Sequence, residues 1–362
     1  MRRFGALLLV LTWVAQAQEP PGSVRWSYKL PFPVRSLAVS EQGVALVGSD
    51  FGNYLHAVDV LPGTFLWKRD LAGSIWSPAV VTQEAAYLVP NAAALIALRI
   101  ETGDVLFWLG PRFPSGDRPP WQNKAPPAVG PNRIWLVSLN GTLCKLDATG
   151  KPLGQTELQG LNQTDQFWSR PALAGDSLFI GSIRGRLHRV ASETLRRKET
   201  IELGEDIRAD VIARDDRLYV STVNGSLYAF RADPERTVQL WKLSLRSRAP
   251  GGSTGRSPVI PLVMEDRLLV ASRTAAYCLD RRTGGILWRR EVESGIAAPL
   301  TLVKDRVQLV TGQGELVSLA LATGQMLGGV PLRGIPTAGP LAWGEVVLVG
   351  FSDGMLQAVS PP

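Results

Sequence analysis

The side chains best suited to chemistry are few in this 362-residue chain, and they lie far apart. The only histidines are His56 and His188, and the only cysteines are Cys144 and Cys278. The sequence contains no His-Glu-x-x-His metal motif, no phosphate-binding loop and no Cys-x-x-Cys-His haem motif. The sequence therefore predicts no catalytic residue, no metal site and no cofactor.

The histidines and cysteines fit a structural interpretation. His56 and His188 occupy one position of an internal repeat, and the other copies have isoleucine, cysteine, tyrosine, valine or glutamine there. A position that accepts all of these side chains is typical of packing rather than of metal binding. Cys144 and Cys278 belong to the third and sixth copies, so we expect two buried thiols without a disulfide.

Positive charge recurs at another position of the repeat, just before the first strand of each copy. The residues at or next to this position, together with one arginine in a turn on the same predicted face, are Arg35, Trp76, Arg170, Arg208, Arg256 and Arg273. Guanidinium groups that converge on a narrow mouth would add their potentials and bind carboxylates through paired hydrogen bonds. This pattern predicts a binding site for a protein or acidic peptide, with a small anionic ligand as the alternative.

The repeat comes in eight copies, whose corresponding turns are 40 to 49 residues apart. Each copy has short runs rich in Val, Ile, Leu, Tyr and Trp, bounded by Gly, Asp, Asn or Pro, and such runs predict strands. A repeat of this length with four strands is typical of a propeller blade, whereas helical repeats would show apolar residues at a period of 3.6. We therefore predict an all-β, eight-bladed β-propeller of four-stranded antiparallel blades.

Two details of the repeat predict local geometry. The pairs Asn140-Gly141, Asn224-Gly225 and Asp353-Gly354 favour type I′ hairpin turns, in which both central residues have positive φ. Outer strands have tryptophans at matching places, and each ring is predicted to cover the neighbouring blade: Trp26, Trp67, Trp108, Trp241 and Trp288.

The links between copies are expected on one face of the ring. If each blade is built from the centre outwards, these links share a face with the turns after the second strands. Three links are enlarged there, at residues 110–125, 159–169 and 244–256. Long loops on a rigid scaffold are a common place for recognition, so this face is the predicted binding face.

The last copy of the repeat is incomplete. It ends at Ser360-Pro361-Pro362, after its third strand and without a tryptophan-bearing fourth strand. Residues 24–30, Val-Arg-Trp-Ser-Tyr-Lys-Leu, match the missing strand in pattern. We predict that this N-terminal strand completes the last blade and closes the ring, because an unpaired strand edge favours aggregation.

The first residues have the pattern of a secretory signal. Met1-Arg2-Arg3 precedes an apolar run that is too short to span a bilayer, and Ala15-Gln16-Ala17 follows it. We predict a cleaved signal peptide over residues 1–17 and a single propeller domain over residues 18–362. With no cysteine at the predicted cleavage point and no later transmembrane segment, the mature chain is expected to be a periplasmic or secreted monomer.

The motif LD-x-x-TG-x-x-LW, carried by Leu279-Asp280, Thr283-Gly284 and Leu287-Trp288, resembles the repeat of the pyrroloquinoline-quinone (PQQ)-like propellers. The resemblance covers essentially the whole mature chain. That family includes PQQ-dependent alcohol dehydrogenases and the periplasmic propeller subunit of the outer-membrane β-barrel assembly machinery. The resemblance implies the fold and a docking role for the tryptophans more strongly than any one function.

The resemblance also allows the dehydrogenase function to be tested. In that branch of the family the quinone lies between a tryptophan and a disulfide of adjacent cysteines, near a calcium ion and an aspartate base. This chain has no adjacent cysteines, so a PQQ-dependent dehydrogenase is the least favoured function.

Two functions remain from the sequence. We predict an exported, noncatalytic scaffold for protein–protein interaction in the cell envelope or in outer-membrane protein assembly. The alternative is a receptor propeller for a small ligand, a glycan or a quinone. The net charge of +7 is too small and too dispersed to predict nucleic-acid binding.

Overall fold

The computed structural model describes residues 22–49, 51–75, 77–90, 93–110, 125–158, 165–245 and 260–362. The described residues contain no helix and form eight four-stranded antiparallel sheets. The sheets are the blades of an eight-bladed β-propeller, which confirms the predicted fold. The predicted signal peptide, residues 1–17, lies outside the described ranges.

The first strand, β1 (Ser23–Lys29), belongs to the last blade, and the other strands follow the chain from the innermost to the outermost position of each blade. Blades 1 to 4 are β2 (Ser36–Val39), β3 (Val44–Gly48), β4 (Tyr54–Asp59) and β5 (Phe65–Asp70); β6 (Val80–Val81), β7 (Ala85–Leu88), β8 (Leu95–Arg99) and β9 (Val105–Leu109); β10 (Ala128–Val129), β11 (Arg133–Val137), β12 (Thr142–Asp147) and β13 (Pro152–Glu157); and β14 (Ala172–Ala174), β15 (Ser177–Gly181), β16 (Arg186–Ala191) and β17 (Arg197–Glu202).

Blades 5 to 7 are β18 (Ile212–Arg214), β19 (Arg217–Ser221), β20 (Ser226–Ala232) and β21 (Thr237–Ser244); β22 (Leu262–Val263), β23 (Arg267–Ala271), β24 (Ala275–Asp280) and β25 (Ile286–Glu291); and β26 (Thr301–Val303), β27 (Arg306–Val310), β28 (Glu315–Ala320) and β29 (Met326–Pro331). Blade 8 consists of β30 (Pro336–Trp343), β31 (Val346–Phe351), β32 (Met355–Ser360) and β1.

The hydrophobic core lies between the blades. Strands in the middle of a blade are covered on both faces, so β3 and β15 are buried at every residue. Each apolar cluster joins two neighbouring blades; Leu269 and Cys278 of blade 6, for example, pack with Val307 and Leu309 of blade 7. We call each contact between neighbouring blades a seam and number it by its two blades. Burial on both faces explains why the central strands lack the alternation of apolar and polar residues.

The ring closes as predicted. Strand β1 pairs antiparallel with β32, with Val24 opposite Val359 and Trp26 opposite Ala358. The Gly22 amide donates to the Ser360 carbonyl at 2.9 Å, and the Arg25 guanidinium donates to the Ser360 hydroxyl. The two ends of the described chain therefore complete one blade, and this pairing covers the edge of β32.

Four of the predicted tryptophans dock blades together. The Trp67 indole donates to the Ile100 carbonyl of the next blade at 2.8 Å, and its ring covers Gly103 so closely that a Cβ there would lie 2.5 Å from the ring. Gly103 has a φ of 70°, a conformation that glycine adopts readily. The same arrangement joins Trp26 to Gly63, Trp241 to Gly284 and Trp288 to Gly324.

The prediction for Trp108 is wrong by one residue. In β9 it is Phe107 that lies opposite Ala97 and packs on Gly150, which is the register of Trp67 opposite Ala57 in blade 1. Since successive side chains of a strand point to opposite faces, Trp108 points the other way and is 41% exposed.

At seam 3/4 the large and the small docking residue are exchanged: the outer strand carries a glycine, and the turn of the next blade carries a leucine. Gly154 of β13 lies opposite Lys145, in the register where Trp67 lies opposite Ala57. Leu195 takes the place of the turn glycine, with a φ of 56°, and its methyl group would lie 3.8 Å from a Cβ on Gly154. Trp135 of β11 donates from its indole to the Ser192 carbonyl at 2.9 Å, so an inner tryptophan caps this turn.

Seams 4/5 and 7/8 use other contacts. At seam 4/5 the buried Arg189 donates to the Asp233 carbonyl at 2.7 Å and to the Ser177 hydroxyl at 3.1 Å. At seam 7/8, Gly328 stands in the tryptophan register, and a Cβ there would lie 3.1 Å from Pro362.

The predicted type I′ turns are wrong, although the hairpins form. Only the glycines have positive φ, at 92° for Gly141, 82° for Gly225 and 88° for Gly354. The Gly141 amide donates to the Ser138 carbonyl at 3.0 Å, and the Thr142 amide donates to the Ser138 hydroxyl at 2.9 Å. These hydrogen bonds support a longer turn in which the asparagine keeps an ordinary φ and only the glycine is left-handed.

Candidate functional site on the link face

One face of the ring carries both the links between blades and the turns after the second strands, and we call it the link face. Backbone hydrogen bonds hold each link to such a turn: the Phe167 amide donates to the Leu139 carbonyl at 3.0 Å, and the Ile207 amide donates to the Ser182 carbonyl at 3.0 Å. The Ile183 amide in turn donates to the Gln166 carbonyl at 2.9 Å. This face is therefore a rigid platform for side chains that point to solvent.

Two links of this platform place a buried residue beside an accessible one. Phe167 and Ile207 are fully buried in seams 3/4 and 4/5, while Trp168 and Arg208, one residue further on, are accessible. A side chain on Gly181 would collide with Ile207, so the glycine lets the second link approach closely. Alternation in an extended link thus presents the indole and the guanidinium to solvent.

Trp168 and Arg208 form the centre of the site. The Arg208 guanidinium lies 5.1 Å from the centre of the Trp168 ring, within the range of a cation–π interaction. The Trp168 indole donates to the Gln166 side chain at 3.1 Å, which fixes the ring plane. Arg208 also forms an ion pair with Asp206, at 3.2 Å between Nη2 and Oδ2.

Arg170, on the same link as Trp168, completes the cluster. Its backbone amide donates to Asp210 Oδ1 at 2.9 Å, and its Nε lies 3.4 Å from Asp210 Oδ2. Asp210 belongs to the link of blade 5 and Arg170 to the link of blade 4, so this pair joins the two links. We call Trp168, Arg170, Asp206, Arg208 and Asp210 the arginine–tryptophan cluster.

The cluster can bind a carboxylate, although its positive charge is partly neutralised. Each arginine already has an aspartate partner, which reduces the potential that the sequence alone predicts. A guanidinium has five N–H donors, and a single ion pair leaves several of them available. The side chains of Arg170 and Arg208 are 36% and 39% exposed, so an acidic group can reach these donors from solvent.

A second polar group supports the cluster from the side. Glu205 accepts hydrogen bonds from the hydroxyls of Thr222 at 2.7 Å and Ser226 at 3.1 Å. Burial raises the pKa of Glu205, but these hydrogen bonds and the charge of Lys242 outweigh burial and leave the pKa below its ordinary value. Lys242 also lies over the Tyr228 ring, 4.7 Å from its centre. Glu205 therefore stays ionised and ties the link of blade 5 to its own blade.

The predicted site residues are only partly brought together. Arg170 and Arg208 lie on the two adjacent links that form the cluster, whereas Arg35 precedes β2 in blade 1 and Arg273 lies in a turn of blade 6 on the same face. Trp76 and Arg256 lie outside the described residues, as do most residues of the three enlarged links.

Sequence reasoning missed Trp168, Asp206 and Asp210. Trp168 lies outside the docking register, and the two aspartates flank Arg208 at a spacing of two residues. That alternation of acidic and basic side chains is the signal that could have identified them.

The described residues offer no alternative centre for metal chemistry. Among them, no group of three or more His, Cys, Asp or Glu side chains is placed to hold a metal ion. Cys144 and Cys278 are buried and free, and burial raises the pKa of both thiols. Within the described ranges there is also no helix with the length and hydropathy needed to cross a bilayer.

Comparison with known proteins gives one family. The family model described as outer membrane protein assembly factor BamB matches residues 12–239 and 231–362. No curated protein sequence matches the chain.

Solved structures share the fold at low sequence identity. BamB from Moraxella catarrhalis has 19% identity and a TM-score of 0.68, over 93% of this chain and 96% of that one. The quinohemoprotein alcohol dehydrogenase from Comamonas testosteroni has 12% identity and a TM-score of 0.69, over 94% of this chain and 77% of that one. The computationally designed Ika8 protein has 17% identity and a TM-score of 0.72, over 92% of this chain and 97% of that one.

Proposed function

Because the chain belongs to the family of the outer membrane protein assembly factor BamB, we propose that it is an exported, noncatalytic propeller scaffold that binds a partner polypeptide of the cell envelope. The observation that carries the proposal is the arginine–tryptophan cluster on the link face of blades 4 and 5. We propose that this scaffold takes part in the assembly of outer-membrane proteins.

The residue types in the cluster favour a protein partner. Tryptophan and arginine are enriched among the residues that contribute most to protein–protein binding, because they combine a large apolar area with directed hydrogen bonds. Here the indole is oriented by Gln166 and the guanidinium by Asp206, so little side-chain freedom is lost on binding. A rigid ring with such a cluster serves as a platform rather than as a catalyst.

The partner segment is acidic in this proposal. A carboxylate that approaches Arg170 and Arg208 can use the N–H groups that their aspartates leave available. Asp206 and Asp210 then have a second role, because they repel a lone anion unless it forms paired hydrogen bonds. This arrangement favours a peptide with several contacts over a free inorganic anion.

The location follows from the same proposal. Residues 1–17 are removed on export in this account, and residues 18–362 act as one propeller domain on the periplasmic side or outside the cell. Mass spectrometry of the exported protein would show a new N-terminus near Gln18, whereas an intact Met1 would contradict export through this signal.

The test is a double variant, Arg170→Ala/Arg208→Ala, with Arg306→Ala as a control at an exposed position in blade 7. We expect the double variant to lose the partner in cross-linking from envelopes of the producing cell, and to bind a peptide of alternating Asp and Ala at least tenfold more weakly at low salt. The difference should shrink at high salt because exposed charges are screened. Equal binding by the double variant and the control would contradict the proposal.

A parallel titration of the protein with small ligands tests the alternative function as a receptor. A quinone or glycan that quenches the fluorescence of Trp168 in the unchanged protein, and does not do so in Trp168→Phe, would favour the receptor over the scaffold.

A further inference from the structure

A groove at the circumference of seam 6/7 lies outside the arginine–tryptophan cluster. Its volume is about 360 Å³, and it is open to solvent between the outer strand β25 of blade 6 and strands β28 and β29 of blade 7. The link from β25 to β26 closes the end of the groove at the link face. No residue of the cluster takes part in it.

The wall on the side of blade 7 is apolar. Val317 and Leu319 of β28 line it, and Met326 of β29 adds a side chain that is 44% exposed. Val317 and Leu319 are only 5% and 1% exposed, so they form the floor of the groove, and Met326 offers most of the apolar surface that an aliphatic chain can cover. An aliphatic chain alone would be held weakly there, because the groove is open along its length.

Two carboxylates border this apolar surface. Glu315 lies on β28 and Glu293 on the link, and among the described residues neither carboxylate has an ion-pair partner. Blade 4 shows the contrast, since Arg186 holds the position of Glu315 and pairs with the cross-strand Glu202 at 3.1 Å. Glu315 instead lies opposite Pro331, which supplies no charge.

Gly329 of β29 has no side chain, and this leaves room for the Glu315 carboxylate. A Cβ on Gly329 would collide with the Glu315 carboxylate, so any other residue there would force Glu315 to move. Gly329 therefore leaves Glu315 beside the groove rather than beneath a side chain, while Gly328 faces the other side of β29 and lies beside Pro362.

The remaining charges do not cancel the two carboxylates. Glu291 forms an ion pair with Arg289 at 2.7 Å, so Arg289 largely neutralises its charge. Arg290 also lines the groove, and among the described residues of the lining it is the one basic side chain. The groove is therefore locally acidic on a protein whose net charge is +7.

We propose that this groove binds a lysine or arginine side chain from an extended segment of a partner polypeptide. The aliphatic stem of the side chain lies against Met326, above the floor that Val317 and Leu319 form, and the charged end reaches Glu293 and Glu315. Long basic side chains bury their stems on apolar surface in this way while the charge stays at the rim. The groove selects the opposite charge from the cluster, so the two sites together would orient a partner with separated acidic and basic segments.

Methionine methyl groups provide a direct test. Apart from Met1, the chain has three methionines, which are Met264, Met326 and Met355, so a protein labelled at the methionine methyls gives few NMR signals. The probe is the peptide acetyl-Ala-Lys-Ala-Lys-Ala-amide, and the comparison peptides replace lysine by norleucine or by glutamate. We expect the lysine peptide to shift the Met326 signal and to leave Met264 and Met355 in place.

Charge variants separate the carboxylates from general electrostatics. The variant Glu293→Gln/Glu315→Gln should raise the Kd for the lysine peptide at least fivefold, whereas Glu84→Gln/Glu235→Gln, which removes two exposed charges elsewhere, should leave it within twofold. Thermal unfolding of both variants checks that they fold.

Three results would overturn the proposal: an unmoved Met326 signal, an equal response to the norleucine peptide, or equal Kd values for the two double variants. Each of them leaves the binding test of the arginine–tryptophan cluster unaffected.

Discussion

The seams of the ring fall into two groups. At seams 8/1, 1/2, 2/3, 5/6 and 6/7 an aromatic ring of one blade covers a turn glycine of the next. At seams 3/4, 4/5 and 7/8 the contact is made instead by Leu195 against Gly154, by the buried Arg189 and by Pro362 beside Gly328. The repeat therefore uses one docking contact at five of its eight seams, and two of the three exceptions are the consecutive seams on either side of blade 4, which carries part of the arginine–tryptophan cluster.

The difference shows how a repeat protein accommodates a site. An aromatic ring on glycine buries a large apolar area with one hydrogen bond, and it can be repeated without adjustment. Arg189 instead joins Ser177 of its own blade to Asp233 of the next, and it holds the outer part of seam 4/5 through directed hydrogen bonds. We infer that the arc of blades 3 to 5, where two consecutive seams lack the aromatic contact, is specialised, whereas seam 7/8 is a single exception next to the blade that closes the ring.

The largest effect should come from opening the ring. Deleting residues 18–30 removes β1, and with it the Trp26 contact of seam 8/1 and the partner of β32. The deletion removes the half-buried Trp26 together with the fully buried Leu30, and losses of this kind cost about 3–5 kcal/mol or more in sum. At about 2–4 °C per kcal/mol, the melting temperature should fall by at least about 6 °C.

A separate peptide of residues 18–30 provides the control for this deletion. Adding it should restore part of the lost melting temperature, because the pairing with β32 needs no covalent link. A truncated protein with the melting temperature of the full protein would show that closure by β1 contributes nothing.

A matched pair of tryptophans tests the docking contact itself. Trp67→Ala removes the half-buried ring from Gly103 and should lower the free energy of unfolding by about 2–3 kcal/mol, which is less than a fully buried ring would cost. Trp108→Ala, in an outer strand of the next blade, removes a side chain that is 41% exposed and should cost less than about 1 kcal/mol. Chemical denaturation of both variants measures the difference, and equal losses would refute the assignment of Phe107 as the docking residue.

This pair also shows how far the sequence predicts the fold. The period, the strand order and the closing strand follow from the spacing of turns and apolar runs, and all of them are confirmed. The residue that docks at β9 does not follow, because two aromatic residues are adjacent and a shift of one position exchanges the faces of a strand. Residue type alone favours Trp108, and register selects Phe107.

The reversed seam offers a smaller test. Leu195 has a φ of 56°, which glycine adopts at lower cost, yet its side chain is buried against seam 3/4. Leu195→Gly should relieve about 1 kcal/mol of backbone strain and lose about 2–5 kcal/mol of packing, for a net loss of about 2 kcal/mol. A variant that is more stable than the unchanged protein would show that the packing of Leu195 near Gly154 does not stabilise seam 3/4.

The candidate site was predictable only in part, for a physical reason. Position in the repeat places Arg170 and Arg208 on the link face, since the fold brings all such links to one side. Their partners Asp206 and Asp210, and the ring of Trp168, depend on side-chain directions in irregular links, which no repeat pattern specifies. The sequence therefore predicts the positive charge of the arginines but not the aspartates that partly neutralise it.

The smallest expected effect is a pH dependence that distinguishes the two groups of seams. His188 is 3% exposed, lies near the Phe167 ring of seam 3/4, and places its Nδ1 3.2 Å from the Thr200 hydroxyl. Burial lowers the pKa of His188 from 6.5 to about 4, with a further contribution from the charge of Arg197, while Asp165 acts in the opposite direction.

Since the folded pKa lies below the unfolded one, the unfolded chain takes up a proton first as the pH falls below about 6.5, and stability is lost until about pH 4. At pH 5 the loss should be about 1–2 kcal/mol relative to pH 7.5. The variant His188→Gln, which introduces the residue that blade 8 carries at Gln357, should remove most of this pH dependence. His56, whose pKa burial also lowers, lies beside Phe32 and Phe65, and His56→Gln should remove less of it. Melting temperatures of the three proteins at pH 5.0 and 7.5 measure the effect, and a His188→Gln variant that keeps the full acid sensitivity would place the titrating group elsewhere.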